Sequence, residues 1–306
     1  MQRRCFFWTI VLAAVFFASP SAWAAKNVIL MITDGGGYNQ WLAASMYQGR
    51  VGRQLYDQPG WVRWSACTYP LNLFFRPTGN DRQLPFLVYD PAKAWDATPS
   101  DDPSGMFAGY VYLTTTYTDS AAAATALASG QKTYNHAINW SNEGKPLRGQ
   151  TIAEIAKSQG KSVGVVTSVP WSHATPAGLG GAHNISRDHY AEIAREMLGA
   201  AWLDVMMGAG NPDFDDNGKP LSATQRHDYK YVGGQDAWTA LKSGKLAWKL
   251  IEKKSDFESL TSGTTPAKLV GAAQVGSTLQ EKRGGAMTHV PYDHITKDPD
   301  AKQLSR

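Results

Sequence analysis

Cysteine is almost missing from this chain: Cys5 and Cys67 are the two in 306 residues. Cys5 falls in a leader that reads as removable, so the exported form keeps one thiol and no intrachain disulfide. Cys67 is then expected as a small buried hydrophobe rather than a reactive thiol. Basic residues are dispersed and the net charge is only +4, falling by two with Arg3 and Arg4, so there is no basic stripe and no nucleic-acid-binding signal. The apolar run at 5–18 is short for a membrane span, which argues against a stable membrane anchor. Asp34-Gly35-Gly36-Gly37 lacks the spacing of a dinucleotide fingerprint. Ser129-Gly130-Gln131-Lys132-Thr133 lacks the Gly-Lys-Thr of a P-loop, and no internal repeat is visible.

The first 24 residues carry a positive start at Arg3 and Arg4, the apolar run, and a small-x-small cleavage pattern at Ala22-Trp23-Ala24. They read as a signal peptide, and the protein as periplasmic or secreted. Arg3-Arg4 ahead of Phe6-Phe7 also suits twin-arginine export, while the apolar run suits the general route. Residues 25–306 are long enough for one large α/β domain.

Asn27-Val28-Ile29-Leu30-Met31-Ile32-Thr33 is a continuous apolar run, as in a strand buried on both faces. A helix is expected at 40–47. Residues 51–116, broken by prolines and rich in aromatics, predict packed loops and short strands. Further helices are expected at 120–129, 151–158, 188–198 and 235–241, and strands at 162–167, 203–207 and 268–271. The alternation predicts an α/β fold: a mostly parallel central sheet flanked by helices on both faces, with ligands at the carboxyl ends of its strands.

Thr118-Asp119-Ser120-Ala121-Ala122-Ala123-Ala124-Thr125-Ala126 places a serine at a helix start. Unpaired N–H groups and the positive dipole end there favour a phosphate or a developing alkoxide, and alanines let neighbours approach. From this block alone a plain cap, with Thr118 or Asp119 as N-cap and Ser120 in the first turn, is the preferred reading. Asp34, followed by three glycines, is either a ligand bridging divalent cations or the cap of a tight turn. His173 and Thr175 lie two residues apart and would face one way in extended chain, a geometry that Pro176 favours. Arg187, following His183, is either a bidentate phosphate clamp or a surface charge; His189 lies two residues on. Asp213-Phe214-Asp215-Asp216-Asn217-Gly218 begins like a calcium loop, but its twelfth position is Thr224, so an acidic turn is expected.

Taken in order, these blocks resemble the alkaline phosphatase family. The blocks from Asn27 to Gly35 and from Thr118 to Ala126 match, as do Lys132-Thr133-Tyr134-Asn135 and His173-Ala174-Thr175-Pro176-Ala177. His183-Asn184-Ile185-Ser186-Arg187 and Gly210-Asn211-Pro212-Asp213-Phe214-Asp215 complete the series, so the likeness runs from about Lys26 onward. The resemblance implies a metal-dependent phosphomonoesterase with two Zn2+ and one Mg2+, acting on phosphate monoesters as a homodimer. It makes Ser120 the nucleophile and a zinc ligand, Asp34 the bridge between that zinc and the magnesium, and Thr175 a magnesium ligand. It makes Arg187 the phosphate-binding arginine and Asp119 the residue that orients it. His173 stands where some members have aspartate, which affects the third metal.

The family's C-terminal metal-ligand segments are not visible. Asp293-His294 lies before the region where the zinc-binding Asp-His pair belongs. The expectation is therefore an N-terminal portion of such an enzyme, with little or no turnover as it stands. A non-catalytic exported phosphate- or metal-binding module is the alternative, and a related phosphodiesterase or sulfatase fits the serine block less well.

Overall fold

The structure, a computed structural model, describes residues 25–64, 66, 68–102 and 107–279. The expected leader, Cys67 and Asp293-His294 lie outside the described residues.

Among the described residues from 25 to 117 the chain is mostly loop. Its helices are α1 (Tyr38–Tyr47), the single turn α2 (Pro91–Ala94), started by Pro91 with Asp90 accepting from Ala92 N, and α3 (Ala108–Thr116). Two expectations change here. Residues 27–33 form no strand: Val28 is 79% and Met31 89% exposed. A run apolar on both faces needs ladder neighbours and covering layers, and among the described residues this one pairs with no strand. The aromatic stretch is also less packed than expected. Tyr69, Leu71 and Leu87 are buried, but Trp64 and Trp95 stand in solvent, and an isolated bridge between Pro99 and Phe107 replaces the short strands.

Regular structure begins with α4 (Ser120–Ser129). Asp119 caps it by accepting from Ala122 N at 3.0 Å, and Gly130 ends it at φ +72°, a left-handed conformation that suits glycine. Next, α5 (Ile152–Ser158) opens on a Thr151/Glu154 capping box. The strands are β1 (Gly164–Pro170), β2 (Val205–Ala209), β3 (Lys249–Ile251) and β4 (Leu269–Ala272), all parallel in the order β1-β2-β4-β3. Crossovers run through α6 (Ala174–Leu179) and α7 (Tyr190–Gly199), then α8 (Gln235–Lys242), then α9 (Lys254–Ser259). The fold is thus α/β with a parallel sheet and helices. All four residues of β4 are buried because it lies between β2 and β3. Ile193, Ala194 and Met197 of α7 pack with Trp171, Leu203, Met206, Trp238 and Val270 in the core.

The sequence reading missed the short elements β3, α6 and α9, and also α2 and α3, which lie where only loops and short strands were expected. Thr175 is corrected from extended to helical: it is the second residue of α6. Pro176 is tolerated because first-turn N–H groups have no intrahelical acceptor. The restriction that proline places on Thr175 is overcome by packing of α6 on α4.

Candidate active site

Helix α4 sets the site because its first residue is Ser120. The Ser120 hydroxyl donates to the Asp34 carboxylate, at 2.9 Å from Oδ2 and 3.1 Å from Oδ1. Thr175 Oγ1 donates to the same Oδ2 at 3.2 Å. Helices α4 and α6 deliver the two hydroxyls together because they pack very closely: a Cβ on Gly178 would lie 2.8 Å from that of Ala124. The buried Asn139 holds this pair, donating to Gly178 O and Ala182 O, while its own N–H donates to Thr125 Oγ1. Asp34 itself rides on a tight turn, with Gly35 at φ +72° and Gly36 N donating to Thr33 O.

Asp119 does three things at once. Its Oδ1 accepts from Ala122 N at 3.0 Å and from His136 N at 3.1 Å, and its Oδ2 pairs with Arg187 Nη1 at 3.1 Å. Arg187 N in turn donates to His136 O at 2.7 Å. The cap of the serine helix and the arginine are therefore joined in a closed ring of bonds. Two further residues join this ring: Asn135, which the sequence marked only as part of a matching block, and His136, which it did not mark at all. The former accepts from Asp119 N through Oδ1 at 3.0 Å, and the latter occupies φ +75°. Such a conformation costs a non-glycine residue about 1–3 kcal/mol. Position 136 follows directly on the Lys132-Thr133-Tyr134-Asn135 block, but nothing in residue spacing marks it.

His173 is the N-cap residue of α6, and its ring stacks on Tyr190 at 5.1 Å and lies 5.7 Å from Tyr231. Burial, with Tyr231 beside it, holds the Tyr190 hydroxyl above its ordinary range, although Arg187 and Lys230 pull it down. His183 turns into the core, its Nδ1 3.1 Å from Glu196 Oε1. Asp213 pairs with Lys242 at 2.6 Å, and the segment after it is an acidic turn in which Asp215 Oδ1 accepts from Asn217 and Lys219 N–H.

The donors gathered on Asp34 are all oxygen, from Asp34, Ser120 and Thr175, which suits a hard cation such as magnesium. A zinc pair needs nitrogen or further carboxylate ligands. Among the described residues no three His, Cys, Asp or Glu side chains gather where they could hold a metal. The residues present thus fit part of a magnesium-type position and not a two-zinc centre.

The alkaline phosphatase family model matches residues 102–284, more than half of the chain. This chain belongs to the alkaline phosphatase family. It is 41% identical over 165 residues to Alkaline phosphatase 4 of Bacillus subtilis (strain 168), a match covering 49% of this chain and 35% of the relative. Alkaline phosphatase 3 of the same organism is 34% identical over 164 residues, with the same two coverages. The match spans about a third of these alkaline phosphatases' length. Among solved structures, a cold-active alkaline phosphatase from the psychrophile Shewanella sp. aligns with 84% of this chain and 48% of its own, at 25% identity and a TM-score of 0.46. The alkaline phosphatase of the Antarctic bacterium TAB5 aligns with 61% of this chain and 47% of its own, at 26% identity and a TM-score of 0.40.

Proposed function

We propose that this chain carries the phosphoryl-accepting site of a phosphate-monoester hydrolase. The observation that supports this reading best is a helix-start serine on a carboxylate, with an arginine tied to the cap of the same helix. Arg187 would hold two phosphate oxygens, and Asp119, by pairing with it, would keep the guanidinium oriented. Asp34 receives the Ser120 proton in a hydrogen bond, which leaves an Oγ lone pair for attack on phosphorus. The P–O bond to the alcohol breaks as the bond to Oγ forms, and the Ser120 proton passes by way of Asp34 to the leaving alcohol oxygen. Water then attacks phosphorus, the P–Oγ bond breaks, and a proton of that water returns to Oγ, giving serine and phosphate. The N–H groups opening α4 favour the charge that develops beside them.

Asp34, Ser120 and Thr175 are the residues that would hold a hard cation, and bound Mg2+ would supply Lewis acidity at the oxygens. That no group of three His, Cys, Asp or Glu side chains gathers among the described residues supports a second reading, a non-catalytic phosphate- or metal-binding module, and with it an expectation of low turnover. Export, read from the leader, and a homodimer, read from the resemblance, belong to the same proposal.

The test is incubation of the full chain with p-nitrophenyl phosphate, Zn2+ and Mg2+ at alkaline pH, followed by acid quench and mass spectrometry. A phosphate adduct on Ser120, absent from Ser120→Ala, is the expected result. Phosphate binding with no adduct would favour the non-catalytic module. Fast turnover lost in Ser120→Ala would keep the mechanism and overturn the expectation of a weak site.

A further inference from the structure

His136 adopts φ +75°, with Phe75 and Asn139 the other non-glycine residues at positive φ among those described. Backbone strain of this kind persists where the surroundings over-determine it, and such places cluster at functional sites. Three bonds meet at this residue's corner of the site. His136 N donates to Asp119 Oδ1, His136 O accepts from Arg187 N, and Arg187 Nη1 closes the ring on Asp119 Oδ2. A shift of the backbone at 136 therefore moves both the cap of the serine helix and the arginine.

The imidazole supplies the bracing. Its Nδ1 lies 3.2 Å from Asp188 Oδ2, and its ring stacks on Phe75 with centroids 4.0 Å apart and planes 24° apart. Glycine would meet the same φ without strain and lose both contacts. Conformational preference alone thus does not account for a histidine here.

We propose that His136 is a positioning residue for the phosphate clamp: its side chain, braced by Asp188 and Phe75, holds the bond ring that keeps Arg187 at the start of α4. The proposal rests on the phosphatase reading, in which Arg187 binds phosphate.

The experiment compares the full chain with His136→Gly, Phe75→Leu and Arg187→Ala by three readouts: hydrogen exchange at the Arg187 amide, thermal melting, and calorimetric binding of inorganic phosphate with Zn2+ and Mg2+ present. His136→Gly should speed Arg187 exchange about tenfold and weaken phosphate binding about tenfold, while its melting temperature holds or rises. Phe75→Leu should move both readouts the same way by less, and it decides the matter if His136→Gly does not fold. Arg187 exchange unchanged in both variants would overturn the proposal, as would losses that merely track a lower melting temperature. Phosphate binding that survives Arg187→Ala would instead sink the phosphatase reading, and exchange at Arg187 would still report the brace by itself.

Discussion

Trp64 and Trp95, in the stretch before Ser120, are 85% and 83% exposed, whereas Trp171, just past β1, is fully buried. The contrast holds for whole segments. Residues 27–33 are as apolar as any strand in the chain and lie in solvent, while 269–272 are buried at every position. Apolar composition supplies the drive to bury surface, but burial needs something to bury against. After Ser120 each strand has a parallel neighbour and a crossover helix; before it, loops and short helices leave the large side chains without a common core.

The sharpest way to break this comparison is a pair of truncations. Trp171→Ala should lower unfolding free energy by about 3–5 kcal/mol, and Trp95→Ala should stay within about 0.5 kcal/mol, both read from denaturant melts. Equal losses would mean that the two regions share one core. Smaller, and confined to the sheet half, is the effect of crowding the α4–α6 contact. Gly178→Ala should destabilise by about 1–3 kcal/mol, and its test is whether the Ser120 helix then loses amide protection. Unchanged protection would show that the two helices can part freely.

The smallest effect concerns acid. Burial pushes Asp204 up, but hydrogen bonds from Lys157 and the Val163 N–H outweigh it and hold the carboxyl below its ordinary 3.8. Asp96, fully exposed, is held below 3.8 by hydrogen bonds from Thr98 within its own turn. A depressed carboxylate stabilises the fold above the unfolded value and loses that contribution as pH falls through the folded one. Unfolding midpoints measured from neutral pH to below 3.8 should therefore flatten in Asp204→Asn and change less in Asp96→Asn. The opposite ranking would show that the local turn at Asp96 contributes more than the pairing of Asp204 across the sheet region.

The helices and strands after Ser120 were mostly legible in the sequence because their signals are local. Asp119 before the alanine row and Gly130 after it bound α4 at the expected residues. The alternation of apolar runs with helical segments is enough for a parallel α/β sheet. The failures share a cause. The run at 27–33 reads as a strand from its composition, but pairing is a property of neighbours. Thr175 reads as extended from the proline after it, but packing on α4 outweighs that local preference.

Read alone, the sequence determined the blocks that carry the family resemblance, the helix that begins at Ser120, and the identity of the candidate donors. Tertiary structure decided which of them meet. Asp34 reaches Ser120 across 86 positions and Thr175 across 141, and Arg187 reaches Asp119 across 68. It also showed that His136, silent in the sequence, joins the arginine to the serine helix. Caps, periodicity and turn residues act over a few residues and can be read in order. A shared carboxylate or a closed ring of hydrogen bonds depends on distances that only the packed chain sets.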